Sequence, residues 1–168
     1  LVVNDKPPLF QKLRPISSHR KQIADFASWN GLLVMSGVGV SAKESTHIHK
    51  SDNGKEALWF GAIDDLWKLG KPVGVGGPWK ASSVKAGDVS DPYLMTGYDK
   101  KKLILSADEP TEITLEINFD HFGYHSYRTW KVVPGSSIEF EFPKGFSAHW
   151  ARLATDSDCV VSATFIYE

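Results

Sequence analysis

The sequence predicts a mostly β chain, an antiparallel β-sandwich of Greek-key or jelly-roll type preceded by a propeller-blade-like β unit. Three observations predict it. From residue 98 onward, apolar and polar residues alternate with period two through six short segments, as in strands with one face buried and one solvated. Turn pairs separate the apolar runs: Asn30-Gly31 and Asn53-Gly54 early in the chain, Pro134-Gly135 late. The 168 residues are 42% hydrophobic and 12% aromatic, enough to pack the core of one domain, alone or with a smaller partial unit.

Residues 1–70 read as the blade-like unit. "GLLVMSGV" (31–38) suits a buried strand, and a second strand is expected over residues 57–63, after the Asn53-Gly54 turn. "DDLWKLG" suits a short helical turn with Asp64 as its N-cap and Gly70 as its stop. Residues 71–98 are dense in Gly and Pro and hold no period, so they read as a connector or long ordered loop. Residues 99–168 read as the sandwich, with "KKLILSA", "EITLEINF", "SYRTWKVV", "SIEFEF", "SAHWARLAT" and "CVVSATFIYE" as its six strands.

Several long stretches, "ALWFGAIDDLWKLGKPVGVGGPWK", "SDPYLMTGYDKK" and "FPKGFSAHWARLATDSDCVVSATFIY", resemble the C-terminal end of a group of large, secreted, uncharacterised bacterial proteins. In those, propeller-like repeats precede a terminal β-sandwich. The resemblance covers most of the chain and implies that residues 1–70 are the last blade or so of a propeller. It implies a secreted or periplasmic setting and the remainder of a parent chain, or another subunit, as a partner. It brings no activity and no catalytic residues. The chain starts "LVVNDKPPLF", without Met or a charged-then-apolar leader, and reads as a processed product or an excised piece.

Charge narrows the function classes. Nineteen basic residues stand against 20 acidic ones, for a net charge of −1. That balance argues against a broad basic footprint for nucleic acid and against docking on anionic membranes. No run approaches the ~20 apolar residues of a membrane-spanning helix. The single cysteine, Cys159, permits no intrachain disulfide and no cysteine-based zinc site; in "DCVVSATFIY" it reads as a buried thiol. "GVGVSA" and "GVGGPWK" lack the spacing of phosphate-binding loops. No cofactor is expected.

The stretch "HFGYHSYRTW" (121–130) holds two histidines, four aromatic rings and an arginine. His121 and His125 stand ~13 Å apart along an extended strand, too far for one metal unless a turn at Gly123 brings them together. His47 and His49 form a closer H-x-H pair in a polar stretch. Metal binding is the minor reading for both pairs. A glycosidase would need two carboxyl groups facing one sugar. Asp64, Asp65, Asp88, Asp91 and Asp99 are candidates, although acids in loops more often cap turns.

Six Trp, five Tyr and nine Phe remain to be explained. Flat rings beside hydrogen-bonding side chains suit sugars, which offer an apolar C–H face and polar edges. The leading expectation is therefore a non-catalytic carbohydrate-binding module that takes a polysaccharide or oligosaccharide. In it Trp79, Tyr124 and Trp130 would stack, with Tyr93 among the nearby rings. His121, His125 and Arg128 would give directional hydrogen bonds. The alternatives are a structural or interaction domain whose rings pack against the parent chain or another subunit, and, third, a glycoside-active hydrolase.

Overall fold

The computed structural model describes residues 13–19 and 22–168, nearly all of them in antiparallel sheets and turns. Contacts divide them into two compact units, one of Ile16–Lys71 and the other of Pro72–Glu168 together with residues 13–15. The rest of the expected blade-like stretch, residues 1–12 and 20–21, lies outside the described residues.

The first unit is a four-stranded antiparallel sheet of β1 (Phe26–Trp29), β2 (Leu32–Met35), β3 (Ile48–Lys50) and β4 (Ala57–Gly61). Asn30 and Gly31 both take positive φ, 48° and 77°, which matches the right-handed twist of the flanking strands and fixes the β1–β2 hairpin. Four strands is the number in a propeller blade. The order here is β1-β2-β4-β3, with β4 inserted between β2 and β3 instead of following a sequential meander. The short helix expected next is a 3-10 helix, Ile63–Lys68. Its capping carboxylate belongs to Asp65, which accepts from the Ala62 N–H at 2.9 Å and pairs with Lys68. Asp64 had been expected to cap it.

The second unit has eight strands: β5 (Gly74–Val84), β6 (Tyr93–Leu94), β7 (Lys101–Ala107), β8 (Thr111–Asn118), β9 (His125–Val132), β10 (Ser137–Glu141), β11 (Trp150–Thr155) and β12 (Cys159–Tyr167). They form two four-stranded sheets, β10-β7-β12-β5 and β6-β11-β8-β9. Except for the β8–β9 hairpin, each strand lies in the opposite sheet from the one before it, which is the winding of a jelly roll. All six strands expected from the alternation are present. Their inward positions make one core, in which Leu103, Leu105, Val161 and Phe165 of one sheet meet Ile113, Leu115 and Leu153 of the other. These seven are fully buried, each worth about 2 kcal/mol of transfer free energy.

The connector expected over residues 71–98 is not one. Its first half is β5, an 11-residue strand at the sheet edge, and its second half contributes β6. Glycine serves here as room, not as a breaker: a Cβ on Gly77 would overlap the Ala163 carbonyl oxygen, and one on Gly76 the Tyr93 hydroxyl. Two register shifts against β12 each insert an extra residue and break the period-two pattern that marks the other strands.

Candidate functional site

At one end of the sandwich, the start of β7 and the loop before it meet the end of β10, the β10–β11 loop and the chain's last residues. They enclose a half-open cleft of about 1150 Å³. Its rings are Tyr98 and Phe146, both partly exposed, and Phe142, which is buried in the core. Its charged groups are Arg14, Lys100, Lys101, Lys102 and Lys144 against Asp99, Glu141 and Glu168, and His149 stands at its margin.

Strand parity puts the cleft's least usual residue in place. Lys101 shares the inward face of β7 with Leu103, Leu105 and Ala107 and is only 7% exposed. Its Nζ donates to the Tyr98 carbonyl at 2.7 Å and the Phe146 carbonyl at 3.1 Å. Burial pulls the ammonium below the usual lysine range, against a smaller opposing pull from Asp99. Behind it Tyr98 stacks on Tyr167 at 4.2 Å, and the Tyr167 hydroxyl donates to the Leu94 carbonyl. Burial raises the pKa of both phenols. Two other cations are paired, Lys102 with Glu139 at 3.2 Å and Lys100 with Glu168 at 3.6 Å.

A belt of rings runs from the cleft along the side of the sandwich where the edge strands β9 and β10 meet. Phe142 contacts Phe146 at 4.8 Å and Phe140 at 5.0 Å; Tyr127 lies 5.1 Å from Phe146; Trp130 lies 5.1 Å from Phe140. The exposed Arg128 guanidinium sits over Phe140 at 4.8 Å and over Trp130 at 5.6 Å, a cation on aromatic faces.

The expected platform of residues 121–130 is thus divided. Tyr124 lies beneath the Arg152 guanidinium at 4.2 Å, and Arg152 is itself bound to Glu116 at 2.6 Å. Trp130 pairs with inward-facing Ile113 and packs on the core. The two rings do not share a face, because a bulge opposite Leu115 and Glu116 shifts the register between them. Trp79 is buried in the core and offers no face to a ligand. Tyr93 stacks inward on Phe165 at 5.2 Å. His125 pairs with Asp120 at 3.3 Å, while His121 stacks on His149 at 4.0 Å, so the β8–β9 loop separates the two histidines.

Other candidates make local contacts away from the cleft, while Asp99 lines it. His47 stacks on Trp59 and its Nδ1 lies 2.8 Å from the Phe60 carbonyl, and His49 meets the Phe60 ring edge-on. Among the described residues, no three His, Cys, Asp or Glu side chains gather as a metal site. Asp65 caps the 3-10 helix, and Asp88 accepts from the Lys85 N–H. Cys159 is buried in the core, where burial raises its pKa.

Lys101 and Lys144, and the placing of Tyr98, Phe146 and His149 around them, escaped the sequence reading. The signal for Lys101 was present: in "KKLILSA" it has the parity of Leu103 and Leu105.

No family model matches the chain, and no curated protein does. Among solved structures, it is similar to a dTDP-4-dehydrorhamnose 3,5-epimerase from Sulfolobus tokodaii, at 11% identity and a TM-score of 0.31, over 86% of this chain and 74% of that one. It is similar to a CBM4 structure at 11% identity and a TM-score of 0.23, over 90% and 75%. Likenesses this loose carry no functional inference.

Proposed function

We propose that the chain is a non-catalytic carbohydrate-binding module of a larger secreted protein, with the cleft at the end of the sandwich as its saccharide site. The observation that carries the reading is the cleft's make-up: the partly exposed rings of Tyr98 and Phe146, with charged hydrogen-bonding groups around them, in one half-open space of about 1150 Å³. Saccharides need both kinds of surface at once. The secreted setting rests on the sequence resemblance alone. Two of the acids weighed for hydrolysis, Asp65 and Asp88, cap local turns and do not line the cleft, while Asp99 does.

The test is a titration of the chain with a panel of oligosaccharides, followed residue by residue by amide chemical shifts. Shifts confined to residues 96–102 and 141–149 are expected, and they should vanish in a folded Phe146→Ala, Glu141→Ala variant. Saturable binding elsewhere, or to no member of the panel, overturns the reading.

One set of residues favours a second reading, an interaction domain. The first unit leaves Phe26, Trp29, Ile63 and Trp67 more than half exposed, and such apolar side chains mark docking surfaces when they are contiguous.

A further inference from the structure

We infer that the saccharide taken by the cleft is acidic, a uronate, and that Lys101 receives its carboxylate. The inference rests on the reading above and names the ligand class of that site.

Charge is the first ground. Five basic and three acidic side chains line the cleft, and with Glu139, the partner of Lys102, the local balance is one positive charge, although the whole chain carries −1. Lys100 and Lys102 are neutralised by Glu168 and Glu139. Lys101, Lys144 and Arg14 have no carboxylate within ion-pair distance among the described residues.

Lys101 is the second and stronger ground. A buried ammonium is costly unless a counter-charge meets it. Two main-chain carbonyls take two of its three N–H bonds and supply no charge, and Asp99 attracts it only from beyond ion-pair distance. An incoming carboxylate would take the third and neutralise it, in surroundings dry enough for the bond to be strong. Surface lysines on a solvated face have no comparable demand.

The third ground is placement. The carbonyls that hold the ammonium belong to Tyr98 and Phe146, the cleft's partly exposed rings. Cation and aromatic surface are therefore fixed by the same two residues. A uronate has the matching pair of features, a pyranose C–H face and a carboxylate carried directly on the ring.

The experiment is calorimetric titration of the unmodified chain with four probes: oligogalacturonate, its fully methyl-esterified form, a neutral oligosaccharide of equal length and a sulfated one. Oligogalacturonate is expected to bind, and esterification to weaken it by about tenfold or more, with no variant needed. Lys101→Met, checked by thermal melt, should erase the difference between acid and ester. Lys144→Ala, at an exposed position, should weaken only the acid. Equal binding of ester or neutral sugar in the cleft would overturn the acidic assignment and leave the saccharide reading standing. Preference for the sulfated probe would overturn the uronate assignment. Binding of none would overturn both.

Discussion

The rings of His121 and His149 lie face to face, 4.0 Å between centroids, with their planes tilted by 33°. His121 adopts positive φ and is held by its own N–H to the Asn118 side chain, while the His149 N–H binds the Asn118 carbonyl. One asparagine thus joins two loops and sets two imidazoles in contact at the margin of the cleft. Burial, and then the neighbouring ring, lower the pKa of His149 below the usual histidine value.

A pH dependence follows from that pair. Because the folded-state pKa of His149 lies below its unfolded value of ~6.5, the unfolded chain binds more protons in the window between the two. Stability should therefore fall as pH drops below ~6.5 and level off beneath the folded-state pKa. Thermal melts from pH 7.5 to pH 5 should show the decline, and His149→Gln should flatten it. A wild-type melting temperature that rises on acidification through that window would contradict the assignment.

Gly77→Ala should destabilise the sandwich by more than ~2 kcal/mol, since the new methyl group would meet main-chain atoms of β12 that cannot move aside. Gly123→Ala, with nothing within 4 Å of the added carbon and no positive φ, should change stability by less than ~0.5 kcal/mol. Urea unfolding of the pair gives the contrast directly.

Two rings of the 121–130 stretch should separate in the same assay. Trp130→Ala removes a half-buried ring packed on Phe140 and covered by Arg128, and should cost about 3 kcal/mol. Phe122→Ala removes a side chain that is 95% exposed and should leave stability unchanged within error.

The Arg152–Glu116 pair joins β11 to β8 at 2.6 Å, with both side chains partly buried. A double-mutant cycle over Arg152→Met and Glu116→Gln should give a coupling of about 1 kcal/mol. In Tyr124→Leu the Arg152→Met cost should shrink, because the ring that supports the guanidinium is gone.

Strands β7, β8, β10, β11 and β12 were legible because each alternates and faces one core. β5 was not, since two bulges against β12 interrupt its period and its glycines answer to neighbours distant in sequence. The division of Tyr124 from Trp130 has a similar cause: one unpaired residue in β9 reverses which face later side chains take. The cleft depends on loops from four parts of the chain, and their meeting is a property of the winding. Only Lys101 announced itself, as a charged residue at an inward parity.

The irregularities of β5 also bear on what the molecule does in company. β5 ends a sheet and runs for 11 residues, long enough to recruit a strand from a second copy. Pro78 removes one donor from it, two bulges bend it, and Lys80 stands exposed on it. Copies of the chain meet one another most often at high local concentration. There, a crooked border keeps neighbours from zipping into fibres.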